Sequence, residues 1–255
     1  ILPTGDRRGK FRLAGLQRPR FHLTPGGHTL QPPAFSPKVP ILNTAPVVRW
    51  LVVSCVLVQV LMIVLPDALL YELIDRFAFL SARYTFTGAW QLDPLAYVAA
   101  PITYMFLHGG LTHLLVNMAM LLAFGTAIAR RMSMASFLLL YTICGIAGAA
   151  FWLFMHPYSA DPLLGASGAI SGMVGAVGRI SISRAETPDL PFRNRSTALT
   201  FVLVWLVLNF VFGIIGGAIF GIDAEIAWEA HLGGFVAGFA LVTLFARPPR
   251  VDWRV

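Results

Sequence analysis

Charge is what this sequence has least of. Of its 255 residues, only 12% are Asp, Glu, Lys or Arg, about half the roughly 25% of an ordinary soluble domain. A globule of this length could not cover its surface with so few charges. Cysteine is scarce as well. Cys55 and Cys144 are the only two, and both lie inside apolar runs. They offer neither a disulfide framework nor metal-ligand spacing and read as small buried hydrophobes. No HExxH string occurs, so the zinc-protease pattern is missing too. What the chain has instead is 57% hydrophobic residues, 19 of them Phe. This is the composition of a polytopic membrane protein.

The net charge of +7 would suit a nucleic-acid binder if it were spread over a folded surface. It is not. Residues 1–45 carry seven cations against the single anion Asp6 and leave the rest of the chain close to neutral. This Pro-, Gly- and Arg-rich stretch reads as a disordered cytoplasmic tail that sets topology or meets anionic headgroups, with no nucleic-acid partner implied. Arg7-Arg8 does not open an export signal, because no apolar segment follows for about 35 residues.

Six apolar segments follow, at about Val47–Leu65, Ile102–Ile128, Ser136–Met155, Ser167–Ile180, Ala198–Ile219 and Ile226–Ala246. About 20 apolar residues cross a hydrocarbon core of about 30 Å. Five segments reach that length. The fourth is short and Gly-rich, so surrounding protein should hold it below the membrane surface. The expected fold is an all-α, six-helix membrane bundle over residues 46–247, with a short cytoplasmic tail at 248–255. With the N-terminus inside, all but two of the 19 cations, Arg76 and Arg83, fall on the inner side. That pattern places both termini in the cytoplasm. The long outer loop at about 66–101 carries Tyr84, Trp90, Tyr97 and several Phe, and is expected partly at the membrane interface.

Polar side chains inside such segments are costly and suggest function unless they join helices. The second segment holds His108, His113 and Asn117, the last two on one helix face because they are four apart. The string Gly165-Ala166-Ser167-Gly168 opens the fourth segment. There a serine gains from unpaired backbone N–H groups. His231 stands near the outer end of the sixth segment, and Gly234 and Gly238 behind it form a GxxxG face for close helix approach. Asn209, mid-way along the fifth segment, reads as helix packing. His231 lies about five residues into its helix, or about 8 Å deep at about 1.5 Å per residue. The orientation fixed by cations alone therefore brings Ser167, His231, His113 and Asn117 to one outer-leaflet layer. A neutral imidazole can take the hydroxyl proton of a serine near neutral pH. Asn117, His113 and the Ser167 N–H can stabilise an oxyanion. No acidic residue is expected near this layer within the helices, so the predicted pair is a Ser–His dyad without a carboxylate.

The three stretches His108-x4-His113-x3-Asn117, Gly165-Ala166-Ser167-Gly168 and Ala230-His231-x2-Gly234-x3-Gly238 resemble, in order and helix position, the motifs of the rhomboid intramembrane serine proteases. The likeness covers about residues 47–246. It implies Ser167 as nucleophile, His231 as base, His113 and Asn117 as oxyanion residues, and His108 as support for the site and its water access. It also implies single-span membrane proteins as substrates, cut on the outer side of an inner, plasma-type membrane, without cofactor or metal. Substrates should carry small or helix-weakening residues near the cut, since a helix must unwind first. Two departures stand out. A first-loop Trp-Arg pair common in bacterial members is replaced by Ala99-Ala100, and an aromatic residue four after the nucleophile by Ser171. Ser171 is itself a rival nucleophile one turn deeper. The other readings are an inactive relative that binds membrane clients, a polar-lined transporter, and a metal site on His108, His113 and His231.

Overall fold

The computed structural model describes residues 44–183, 194–220 and 227–246, with backbone alone for 215–220. The two tails and most of the 220–228 loop lie outside the described residues. Their regular secondary structure is helical apart from one isolated antiparallel bridge, Phe79 with Leu163.

Helix α1 (Pro46–Val64) begins with proline, whose fixed φ suits a first helical turn, and stops where Leu65 turns extended before Pro66. The outer segment that follows is a chain of short helices: α2 (Asp67–Phe77), α3 (Ala82–Thr85), α4 (Ala89–Leu92) and α5 (Pro94–Thr103). Asp93 caps α5 by accepting from Ala96 N–H at 2.9 Å. The same carboxylate accepts from Arg76 of α2 at 3.0 Å. Phe79 stacks on Tyr84 with ring centroids 4.8 Å apart, and Thr103 donates to the Phe77 carbonyl at 2.8 Å. These contacts knit the segment together although Ala99-Ala100 stands where the family pattern has Trp-Arg. Ala100 itself is fully buried.

The second apolar segment does not run unbroken from Ile102. The chain leaves α5 through a 3-10 turn at Tyr104–Phe106, and α6 (Leu111–Met120) starts only after Gly109-Gly110. Paired glycines are poor helix formers and interrupt the run. From α6 the helix continues through a π turn (Leu121–Gly125) into α7 (Thr126–Ala129). Ser133 caps α8 (Met134–Met155), accepting from Ser136 N–H at 3.1 Å. Then come α9 (Ser167–Ser183), α10 (Arg195–Phe220) and α11 (Trp228–Phe245).

Among the described residues, five helical stretches are long and apolar enough to cross a membrane: α1, Leu111–Ala129, α8, Arg195–Ile214 within α10, and α11. Helix α9 is 17 residues long, about one turn longer than the expected Ser167–Ile180, and 13 of those residues are buried. It is the central post, packed between α8 and α11. Small residues make this possible. A Cβ on Gly234 would strike the carbonyl of Gly168, and one on Gly238 the carbonyl of Gly172. In lipid, where helix association gains little from hydrophobic burial, such backbone-to-backbone approach supplies the dispersion contacts that hold helices together.

Candidate active site

Three helices begin at the same place. Ser167 is the first residue of α9, His113 lies in the first turn of α6, and His231 in the first turn of α11. Each helix start carries unpaired N–H groups and the positive end of a helix dipole, so the junction favours developing negative charge.

Ser167 Oγ and His231 Nε2 are 2.7 Å apart. On its other side, His231 Nδ1 lies 2.8 Å from Asn209 Oδ1 of α10. The Asn209 amide has a definite orientation, because its Nδ2 donates to the Trp228 carbonyl at 3.2 Å. Its oxygen therefore faces the ring and accepts from Nδ1–H. The lone pair is then on Nε2, so the Ser167 hydroxyl donates to His231. Ser171 is buried deeper along α9, and the histidine's Nε2 meets Ser167. Asn209 does join two helices, as its sequence position suggests, but it also engages the imidazole.

His113 faces the serine across Gly165. Gly109 N–H donates to His113 Nδ1 at 3.3 Å, which leaves the ring proton on Nε2. A Cβ on Gly165 would stand 2.8 Å from that Nε2 and 3.7 Å from Ser167 Oγ. Glycine leaves the space open, and its φ of +113° is one that other residues rarely adopt. The Gly165 N–H donates to the Tyr104 carbonyl at 3.0 Å, and the Tyr104 hydroxyl donates to Gly145 O at 2.7 Å. Tyr104 thus ties the loop before α9 to α5 and α8. The Phe79–Leu163 bridge secures the same loop from the outer segment. A Cβ on Gly168 would come 3.2 Å from the Tyr104 hydroxyl, so that glycine admits the tyrosine.

The other site candidates are placed as follows. His108 is buried and meets His113 edge to face, centroids 5.2 Å apart, with its Nδ1 3.3 Å from the Phe106 carbonyl. Asn117 is buried one turn below His113 and turned back on its own helix, its Nδ2 donating to the His113 carbonyl at 2.9 Å. One amide hydrogen remains to it.

One expectation fails. A carboxylate does lie near this layer within a helix: Glu229, two residues before His231 in α11, is buried. It does not turn to His231. Its Oε1 lies 2.9 Å from Nε2 of His156, the residue ending α8, whose ring lies against Trp152 at 4.2 Å. Sequence reasoning missed this pair and Tyr104 because their partners are 73 and 41 residues away and no local spacing links them. Asn209 left a weak signal, a lone amide in an apolar helix.

A family model described as the Rhomboid domain matches residues 97–248, more than half of the chain. The chain belongs to the rhomboid family. Among its relatives, "RHOMBOID-like protein 5" of Arabidopsis thaliana is 31% identical over 58% of this chain and 44% of its own length. "Rhomboid protease GluP" of Bacillus subtilis (strain 168) is 32% identical over 58% of this chain and 26% of its own. "Putative rhomboid protease YdcA" of the same organism is 33% identical over 55% of this chain and 63% of its own. The chain thus matches under half the length of the first two. Within this rhomboid, the helices bearing Ser167 and His231 both fall inside the matched region.

Proposed function

We propose that this rhomboid is an intramembrane serine endopeptidase with Ser167 as nucleophile and His231 as general base. The observation that carries the reading is the 2.7 Å contact between Ser167 Oγ and His231 Nε2, made by side chains of two different helices. The hydroxyl proton passes to Nε2 as Oγ attacks the substrate carbonyl carbon. The carbonyl oxygen becomes an oxyanion, stabilised by the Ser167 N–H, by the Nε2–H of His113 and by the spare amide hydrogen of Asn117. Cleavage of the C–N bond releases the amine, which takes the proton from Nε2. Water then adds to the acyl-enzyme, giving its proton to Nε2, and the acid product leaves as that proton returns to Oγ. His108 supports His113 through their ring contact, while Gly165 and Gly168 keep the serine loop close, and Gly234 and Gly238 keep α9 against α11. No metal or cofactor takes part in these steps.

The same reading treats α9 as a short sixth membrane helix recessed among the five long ones, in a domain of residues 46–247 between cytoplasmic tails at 1–45 and 248–255. The cation distribution supports that topology, and the membrane proposed is of the inner, plasma type. The substrates proposed are single-span membrane proteins, unwound locally near the scissile bond and cut on the outer side.

The test is cleavage of a single-span test protein by purified enzyme in detergent, with a fluorophosphonate as second probe. Ser167→Ala and His231→Ala should each lower the rate by on the order of 10⁴-fold or more, and Ser167→Ala should take no label. Cleavage retained by Ser167→Ala but lost in Ser171→Ala would move the nucleophile one turn deeper. Cleavage retained by Ser167→Ala and Ser171→Ala alike would remove the serine-protease reading.

A further inference from the structure

Asn209 makes two hydrogen bonds, and only one is explained by helix pairing. Its Nδ2 bond to the Trp228 carbonyl at 3.2 Å would suffice to tether α10 to α11. Its Oδ1 goes elsewhere, to the imidazole Nδ1 of His231 at 2.8 Å, on the ring edge opposite Ser167. The two bonds are linked. Turning the amide over would face Nδ2 towards the ring and Oδ1 towards a carbonyl oxygen, which repels it. The Trp228 carbonyl therefore fixes Asn209 as an acceptor towards His231.

We propose that Asn209 is the positioning residue of the base, so that the site works as a Ser167–His231–Asn209 relay with an amide where many serine hydrolases carry a carboxylate. The inference rests on the serine-protease reading above. Its chemistry is the choice of tautomer. With Oδ1 as acceptor, the ring proton stays on Nδ1 and the lone pair of Nε2 faces the hydroxyl. Without it, no other hydrogen bond among the described residues holds Nδ1–H, and a proton moved to Nε2 would set two donors against each other at the serine. Loss of the productive tautomer is costly in serine hydrolases even when the geometry survives. An amide supplies no charge, so its contribution is orientation alone.

The stripe around Asn209 holds it in place. Trp205 stacks on Phe235 of α11 with centroids 4.7 Å apart. Phe210 meets Trp228 edge to face at 5.3 Å. Gly213 lies under Trp228 with no room for a Cβ. Trp205, Asn209 and Gly213 follow at intervals of four, one line along α10. The amide is thus clamped from both sides along its helix, as a group that orients a ring must be.

The experiment uses the full chain in detergent, the single-span test protein and the fluorophosphonate. Asn209→Leu keeps the branching at Cγ and removes both hydrogen bonds. Asn209→Asp restores an oxygen acceptor. Asn209→Leu should lower kcat and the rate of phosphonylation together by on the order of 10- to 100-fold. KM should stay within about threefold, because the amide does not touch substrate. Asn209→Asp should recover part of that loss per folded molecule, because one oxygen again accepts from Nδ1–H while the other faces the Trp228 carbonyl. Wild-type phosphonylation by Asn209→Leu would overturn the proposal. So would an equal loss in the Leu and Asp variants that tracks the fraction of folded protein by thermal denaturation, because that marks a tether only. Ser167→Ala run in parallel separates the two levels. If it is inactive while Asn209→Leu is unimpaired, this inference alone fails; if it is active, the serine-protease reading fails beneath it.

Discussion

Helices α9 and α11 meet backbone to backbone, whereas α10 touches α11 through one stripe of side chains. Along the first seam, Gly172, Gly175, Gly234 and Gly238 leave no room for a Cβ. Such a contact cannot shift without separating whole helices. Along the second, α10 turns most of its surface outward. Only 6% of its apolar stretch is buried, against 44% for α8. Leu203, Val207, Val211 and Ile214 are exposed along it, consistent with a lipid-facing side. Ser167 and His231 stand on the two helices of the glycine seam, and the second hydrogen bond of His231 comes from the helix that meets α11 through the side-chain stripe.

The largest effect should come from the seam itself. Gly238→Val drives a side chain into the Gly172 backbone, and relief requires α9 and α11 to part, at a cost of about 3 kcal/mol or more. Thermal denaturation in detergent should show a lower Tm, with activity lost alongside. If Gly238→Val keeps wild-type Tm, the seam is not the rigid element of this comparison. Next comes Gly165→Ala, which should lower stability by about 1–3 kcal/mol through the strained φ, while cleavage per folded molecule falls on the order of 100-fold. The added methyl would occupy the space between His113 and Ser167 and force an unfavourable φ. A normal rate would show that this space is not used by the oxyanion.

The α8–α11 junction should give a smaller loss. His156→Ala leaves the buried Glu229 carboxylate without the partner now at 2.9 Å, and should cost about 1–3 kcal/mol. Glu229→Gln in the same background should restore part of the Tm, since a neutral amide is cheaper to bury. Leu203→Ala, on the outward face of α10, should change stability by no more than about 0.5 kcal/mol. A larger drop in Tm would mean that α10 is held more firmly than its exposure indicates.

The smallest effect lies in the outer segment. The Ala96 N–H bond, and after it the Arg76 guanidinium, hold the Asp93 carboxyl below its ordinary value of 3.8. A carboxyl with a lowered folded-state pKa stabilises the fold above its unfolded pKa and loses that contribution as pH falls through the folded one. Asp93→Asn should therefore lower Tm slightly at neutral pH, where the carboxylate's contribution is fully present, and flatten the acid side of the Tm–pH curve below about pH 4, so that variant and wild type converge in acid. An unchanged acid slope would dismiss Asp93 as its source.

Much of this was legible in the sequence, for identifiable reasons. The long apolar runs marked five helices because the bilayer sets a fixed length. The spacing of His113 and Asn117 put them on one face, and the Gly234–Gly238 spacing announced the close seam. The break at Gly109-Gly110 was less visible. An apolar run hides a helix boundary, and two glycines are common enough in membrane helices to pass unremarked. Glu229 was misjudged because sequence position placed it near an outer loop, while burial against α8 depends on a histidine far away in the chain.

The sequence by itself determined which spans are apolar, which of their residues are polar, and that Ser167 and His231 open two different helices. These follow from composition and from the 3.6-residue repeat, both local. Only the tertiary structure decided which nitrogen of His231 faces the serine, which carboxylate belongs to which histidine, and that Asn209 does more than join two helices. Those outcomes depend on hydrogen-bond directions between groups 22 to 73 residues apart, fixed by how the helices dock and not by any spacing along the chain.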